Sequence, residues 1–202
     1  DWRWDPDTYR DLLKESGGKA RLEKLADQSG AALDADAIKA IHARKTAIAC
    51  AEVRETPVPL RPGVSEAIST AMNAGCALAL VTSTYRANID AIADAEGASL
   101  PLQRFDLVVS TEALERTKPD PEAYERALSS LALRRDRVLA VEDSAPSVAA
   151  AKAAGLTVLA TPGAYTAGQD FSAADAVSPE GLAPGGALHP MLETLFDQGA
   201  PA

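Results

Sequence analysis

Apolar residues at the start of the chain recur at the three- and four-residue spacing of amphipathic helices. The pattern predicts three helices, over residues 6–16, 19–28 and about 35–53. The Gly17-Gly18 pair is expected to end the first helix, and Asp34 or Asp36 to cap the third. No strand pattern precedes the Pro57-Val58-Pro59 run, which is typical of a linker. Residues 1–56 are therefore predicted to form a small all-helical unit.

After Pro62 the pattern changes to short apolar runs that alternate with helical segments. The runs predict strands over residues 76–81, 105–109, 138–141, 156–160 and, at an edge, 175–177. Helices are predicted over residues 64–73, 87–96, 121–133, 147–154 and 191–196. Run 76–81 is continuously apolar, as in a strand buried in a parallel sheet. The alternation predicts an α/β fold over residues 57–202, with a doubly wound, mostly parallel, Rossmann-like sheet and helices on both faces.

Composition and charge exclude several classes of function. The 202 residues are 47% hydrophobic and 24% charged, as in an ordinary globular protein. A net charge of −9 without a basic stripe argues against a nucleic-acid partner. No apolar run approaches the roughly 18 residues of a membrane span, and no secretory signal is visible. Two cysteines are too few for a disulfide framework, so we expect a cytoplasmic protein with reduced thiols. We also expect the protein to act as a monomer.

Polar residues follow two of the predicted strands, at the edge where open α/β sheets bind ligands. Thr82 and Ser83 follow the first strand and either bind an anion or cap the next helix. Glu142 and Asp143 follow the third strand. Adjacent carboxylates there need a nearby positive charge and are ligands that Mg²⁺ prefers, although Asp143 or Ser144 could instead simply cap the next helix. Lys118 lies in a proline-stiffened loop and either neutralises a phosphate or is solvated.

The order of these motifs resembles the haloacid dehalogenase superfamily of phosphohydrolases. The matching segments are ALVTST (79–84), RTKPDPEAY (116–124) and VLAVEDSAPSVAAAKAAG (138–155). Residues 1–56 then resemble the helical cap of that family. The runs SGGKARL (16–22) and VPLRPGV (58–64), and His42 with Lys45, are similar to the CbbY-type subgroup. That subgroup resembles β-phosphoglucomutase and is associated with dephosphorylation of sugar bisphosphates, notably xylulose 1,5-bisphosphate.

The resemblance implies a role for each matching residue. Thr82 would hydrogen-bond the transferring phosphoryl group, Lys118 would stabilise charge on the nucleophile and phosphate, and Asp143 with Glu142 would hold Mg²⁺. A second set of residues would contact the rest of a small phosphorylated sugar: Gly17, Gly18, Lys19, His42, Lys45, Arg61 and Ser83. The glycine pair could equally end a helix, and a histidine on a helix is often simply packed or solvated.

The nucleophile of the family, an Asp in a DxD pattern after the first strand, has no counterpart in the sequence. Asp5-Pro6-Asp7 and Asp34-Ala35-Asp36 have the spacing, but no apolar run precedes them and both are predicted to begin helices. The chain also starts with Asp1 rather than Met. We therefore expect an N-terminally incomplete, Mg²⁺-dependent sugar phosphatase that works through an aspartyl-phosphate and is inactive as this chain alone. The alternatives are a non-catalytic relative that binds a phosphorylated ligand and a phosphomutase resembling β-phosphoglucomutase.

Overall fold

The computed structural model describes residues 5–15, 17–56, 58–95, 100–182 and 186–197, without the side chains of 195–197. The α-helices in these ranges are α1 (Pro6–Leu12), α2 (Gly18–Ser29), α3 (Ala35–Glu55), α4 (Val64–Asn73), α5 (Arg86–Asp94), α6 (Glu122–Ser130), α7 (Ala145–Ala153) and α8 (Leu188–Asp197). The strands are β1 (Ala79–Val81), β2 (Leu107–Val109), β3 (Leu139–Glu142), β4 (Thr157–Ala160) and β5 (Ala176–Val177). The α/β class predicted from the alternating pattern is confirmed.

Helices α1 and α3 begin where a short polar residue satisfies one of the free N–H groups of the first turn. The Asp5 carboxylate accepts from Thr8 N at 2.7 Å, and the Asp34 carboxylate accepts from Ala37 N at 2.8 Å. Both Asp-x-Asp pairs therefore begin helices, as predicted. Leu22, Ala26 and Ile38 form a small core between α2 and α3. That residues 1–56 make up a separate cap stays a prediction.

The Gly17-Gly18 pair does not end the first helix, so that prediction is wrong. Helix α1 already ends at Leu12, whereas Gly18 is the first residue of α2. Gly17 precedes it with a φ of +93°, a conformation that favours glycine. Gly18 needs to lack a side chain because a Cβ there would lie 2.7 Å from His42 Cδ2. The pair thus turns the chain into α2 and admits the His42 ring.

The strands form two parallel sheets rather than one continuous sheet. Strand β1 pairs with β2, and β3, β4 and β5 pair in that order. The first predicted strand begins only at Ala79, three residues later than expected. The reason is that the preceding residues finish helix α4: Gly75 adopts a φ of +73°, and Cys76 N donates to Ala71 O. The terminal strand over residues 175–177 is confirmed as the short β5.

A cleft separates the two sheets. It is bounded by residues 78–81 on the β1 side and residues 139–142 on the β3 side, and has a volume of about 800 Å³. We call it the central cleft. The prediction that β1 is fully buried is wrong, because Ala79 is exposed and Leu80 and Val81 are only half-buried. Val141 of β3 is likewise 40% exposed. Among the described residues, β1 and β3 each have a neighbouring strand on one edge only.

None of the helices within the described ranges is long and apolar enough to cross a membrane.

Candidate active site

A buried lysine joins the carboxyl ends of β1 and β3. Lys118 lies in the loop before α6 and is only 4% exposed, so it is not the solvated surface lysine of the alternative interpretation. Its Nζ lies 2.8 Å from Glu142 Oε1, at the end of β3, and 3.4 Å from the Val81 carbonyl oxygen, at the end of β1. The ammonium is therefore fixed at the edge of the sheet where ligands bind in α/β folds.

Tyr124 is the third member of this cluster, and sequence reasoning did not single it out. Lys118 Nζ donates to Tyr124 Oη at 2.9 Å, and the Tyr124 hydroxyl donates to Glu142 Oε1. Burial, reinforced by the charge of Glu142, raises the pKa of Tyr124, so the phenol remains a donor at neutral pH. The signal was available in α6, whose apolar face places Tyr124 and Leu128 toward the sheet.

Glu142 and Asp143 are adjacent but differ in environment. Glu142 is the last residue of β3 and is held by Lys118 and Tyr124, whereas Asp143 is exposed. Of the two residues considered as a helix cap, Ser144 and not Asp143 is the N-cap residue of α7. In phosphate-binding sites, Mg²⁺ is commonly coordinated by one or two carboxylates together with phosphate oxygens and water. Glu142 and Asp143 therefore fit that ion. Within the described ranges, no three His, Cys, Asp or Glu side chains are grouped as metal ligands.

Thr82 and Ser83 follow β1 at the same edge. Helix α5 has Tyr85 as its N-cap residue, so neither Thr82 nor Ser83 occupies that position. Thr82 N donates to the Val109 carbonyl at 2.9 Å, which prolongs the pairing of β1 with β2. Thr82 Oγ1 accepts from Thr84 N at 3.2 Å, which leaves the hydroxyl proton available to a ligand. A hydroxyl at this position can donate to an anion held by Lys118.

A second group of basic residues surrounds His42 on α3. The His42 ring is buried, fills the space left by Gly18 and lies 5.4 Å from the ring of Tyr85. Burial lowers the pKa of His42, and the charges of three residues add to the shift: Lys45, Lys19 and Arg21. Desolvation of its ammonium, together with the charge of Arg21, lowers the pKa of Lys45, although Lys45 is an exposed residue. The structure therefore brings together the predicted glycine, histidine and lysines, and adds Arg21.

Arg61 has a structural contact that the sequence did not reveal. Its Nη1 donates to the Thr161 carbonyl at 2.6 Å and its Nη2 to the Pro162 carbonyl at 2.8 Å. These bonds fasten the linker after α3 to the loop that follows β4. Contact of Arg61 with substrate stays a prediction.

The fold and this cluster define a class of phosphate-handling α/β proteins, and comparison with known proteins identifies the family. The model of the haloacid dehalogenase-like hydrolases matches residues 4–155. The chain belongs to this family.

Several relatives fall within one subgroup. The protein CbbY of Rhodobacter capsulatus is 39% identical over 175 residues, which cover 87% of this chain and 77% of the relative. The crystal structure of CbbY from Rhodobacter sphaeroides in complex with phosphate superposes with a TM-score of 0.83 at 34% identity, covering 91% of this chain and 81% of that one. A mutant of that protein, in complex with xylulose-(1,5)bisphosphate, matches equally well. A phosphoglycolate phosphatase of Nitrosospira multiformis is 34% identical over 116 residues, or 54% of this chain and 47% of the relative.

Proposed function

We propose that this site serves the Mg²⁺-dependent hydrolysis of a small phosphorylated sugar through an aspartyl-phosphate, with xylulose 1,5-bisphosphate as the first candidate substrate. The observation that carries the proposal is the buried Lys118, fixed between the ends of β1 and β3, which Thr82 and Asp143 follow directly in the sequence. An ammonium held in a site of low polarity stabilises developing phosphoryl charge more strongly than one in water. The CbbY structures with phosphate and a sugar bisphosphate support the substrate class.

Each residue at this edge has a distinct part in the proposal. Lys118 orients a phosphoryl oxygen and neutralises its charge, while the Thr82 hydroxyl donates a hydrogen bond to a second oxygen. Tyr124 holds the Glu142 carboxylate in place. Asp143 and Glu142 would hold Mg²⁺, which when bound supplies further positive charge next to the phosphate. Ser83, next to Thr82, remains a substrate-binding candidate.

The basic group around His42 would bind the distal part of the substrate. Gly17 and Gly18 expose backbone N–H groups at the start of α2, where the helix dipole favours an anion. Lys19, Lys45 and Arg21 add positive charge around the same position. A substrate with a second phosphate would therefore gain contacts that a monophosphate lacks.

The nucleophile is the part of this chemistry that the described strands do not contain. None of β1 to β5 carries or precedes a DxD pattern, and Asp5 and Asp34 are engaged as helix caps. We therefore propose that the 202-residue chain binds a phosphorylated sugar without turning it over. The same observation favours the second candidate, a non-catalytic relative that binds a phosphorylated ligand. Monomeric state and cytoplasmic location stay predictions.

The test combines a turnover assay with a binding measurement. The purified chain is incubated with xylulose 1,5-bisphosphate or glucose 1-phosphate and Mg²⁺, and phosphorus NMR follows the products. Calorimetry measures binding of the bisphosphate to the wild type, to Asp143→Asn and to the matched control Asp170→Asn, another exposed acid. We expect no turnover, with Mg²⁺-dependent binding that only Asp143→Asn weakens.

The other outcomes are equally informative. Release of inorganic phosphate would confirm the phosphatase and contradict the missing nucleophile. Movement of phosphate to another hydroxyl would favour a phosphomutase instead. Absence of both turnover and binding would overturn the proposal.

A further inference from the structure

The turn that follows β1 is held by hydrogen bonds that meet at Thr84. Thr84 N donates to Thr82 Oγ1 at 3.2 Å, so the backbone of Thr84 fixes one lone pair of the Thr82 hydroxyl. The Thr84 carbonyl accepts from Thr111 N at 3.1 Å, just beyond the end of β2. The orientation of the Thr82 hydroxyl therefore depends on where Thr84 lies.

Asn88, in the first turn of α5, joins this turn to helix α3. Its Nδ2 donates to Thr84 Oγ1 at 2.7 Å. On the other side of the amide, the Cys50 thiol of α3 donates to Asn88 Oδ1, with an Sγ–Oδ1 distance of 3.0 Å. One chain of hydrogen bonds thus runs from Cys50 through Asn88 and Thr84 to Thr82, and we call it the relay.

The α3 end of the relay is shielded from water. Cys50 is buried, and Asn88 and Thr84 are half-buried. A side chain whose rotamer is locked by packing and by hydrogen bonds at both ends holds its partner more precisely than a solvated one. Helix α3 also carries His42, whose ring lies 5.4 Å from that of Tyr85, the N-cap residue of α5. The helix with the basic group therefore also supports the turn that carries Thr82.

We propose that Asn88 is a positioning residue, which aligns the Thr82 hydroxyl through Thr84 and is anchored to α3 by Cys50. Both polar atoms of the Asn88 amide have protein partners, so Asn88 acts on a ligand through Thr82 and needs no contact of its own. A donor held in place before the ligand arrives stabilises phosphoryl charge without reorganisation. The inference rests on the proposed function, because Thr82 is the hydroxyl that would donate to the phosphoryl group.

A double-mutant cycle distinguishes positioning from general destabilisation. Calorimetry measures the binding of inorganic phosphate, with Mg²⁺, to the full chain and to Asn88→Ala, Thr82→Val and the double variant. We expect each single variant to bind about tenfold more weakly, and the double variant to stay within about twofold of Thr82→Val, because Asn88 has nothing left to align. Asn73→Ala, at an exposed asparagine that ends α4, is the matched control and should bind as the wild type does.

Two pairs of variants test the other members of the relay. Thr84→Val removes the oxygen that accepts from Asn88, whereas Thr84→Ser keeps it. Cys50→Ala removes the donor, whereas Cys50→Ser keeps one. We expect both serine variants to bind phosphate as the wild type does, and Cys50→Ala to lose less affinity than Thr84→Val because a thiol is a weak donor. Cys76→Ala, at a half-buried cysteine outside the relay, is the control.

Hydrogen exchange at the Thr84 amide, followed by NMR, tests the relay without any ligand. Asn88→Ala should accelerate this exchange at least about fivefold, because the Thr84 N–H opens more often when its side chain is not held. Additive losses of affinity in the double variant, or an unaltered Thr84 exchange rate, would overturn the role of Asn88. A Cys50→Ala variant that binds phosphate as the wild type does would remove the anchor on α3.

Failure of the proposed function has a different signature. If the wild type does not bind phosphate while Asn88→Ala still accelerates exchange at Thr84, the phosphoryl site is wrong. Asn88 then holds the turn but positions no ligand-binding hydroxyl, and the inference falls with the proposed function.

Discussion

Strands β4 and β1 are both short, apolar and parallel to a neighbour, yet they differ in burial. Val158, Leu159 and Ala160 of β4 are 0% exposed, because β3 and β5 pair with its two edges and α7 packs against it. Strand β1 pairs with β2 alone, and Ala79 is exposed. The burial of an apolar strand thus depends on its neighbours as well as on its composition. The molecule has a closed side, around β4, and an open side, at the central cleft.

One polar cluster crosses the open side. Lys118 reaches the ends of both β1 and β3, and Glu142 accepts from both Lys118 and Tyr124. Lys118 and Tyr124 are buried, although no residue of β1 and only Ala140 of β3 is. Electrostatic contacts therefore contribute to stability at this cluster, as apolar packing does around β4. Substitutions on the two sides should separate these contributions.

Lys118→Met should have the largest effect on stability. It leaves the Glu142 carboxylate buried without its cation, which costs about 3–5 kcal/mol for a buried pair. Urea unfolding measures the change. The matched control is Lys152→Met, which removes the more exposed pair with Asp175 and should cost less than about 1 kcal/mol. The interpretation of Lys118 as a bridge is wrong if the two variants are equally stable. Adding Glu142→Gln to Lys118→Met should recover part of the loss.

The next largest effect compares the same Leu→Ala substitution on the closed side, in β4, and on the open side, in β1. Leu159→Ala removes a side chain with no exposure and should cost about 2–5 kcal/mol in the free energy of unfolding. Leu80→Ala, at the half-buried β1, leaves less of a cavity and should cost well below about 2 kcal/mol. Equal losses in urea unfolding would mean that the cleft is closed in solution and that the comparison does not hold.

Tyr124→Phe tests the polar cluster with a smaller change. The variant keeps the ring in the core but removes the hydroxyl that donates to Glu142, and a hydrogen bond to a charged group contributes about 1.5–3 kcal/mol. Tyr165→Phe, at an exposed tyrosine, is the control and should stay within about 0.5 kcal/mol of the wild type. Thermal unfolding distinguishes the two. A loss for Tyr124→Phe no greater than that of the control would show that the contact is not stabilising.

Sequence periodicity was enough for the α/β class, because each strand and helix carries its own local pattern. Polar residues after parallel strands are expected to meet at one edge of a sheet, and the structure does bring Lys118 and Glu142 together there, while the functional roles of Lys118, Thr82 and Glu142 stay predictions. The separation of the strands into two sheets could not be predicted in this way. An apolar run such as 76–81 has the same sequence pattern whether one or two neighbouring strands pair with it. Tyr124 was missed because an aromatic residue on an apolar helix face is indistinguishable from ordinary core until its hydroxyl partner is known.

The smallest predicted effect concerns pH and the His42 group, away from the sheet. Burial, followed by the charges of Lys45, Lys19 and Arg21, lowers the pKa of His42 below its ordinary value of 6.5. The unfolded chain therefore binds a proton more readily than the folded one, so stability falls as pH drops below about 6.5 toward the lowered pKa. His42→Gln should flatten this part of the stability profile, measured by urea unfolding between mildly acidic and neutral pH. His189→Gln, at an exposed histidine of α8, is the control. An unaltered slope in His42→Gln would mean that folding does not lower the pKa of His42, and would weaken the assignment of His42 and the basic residues to one phosphate-binding group.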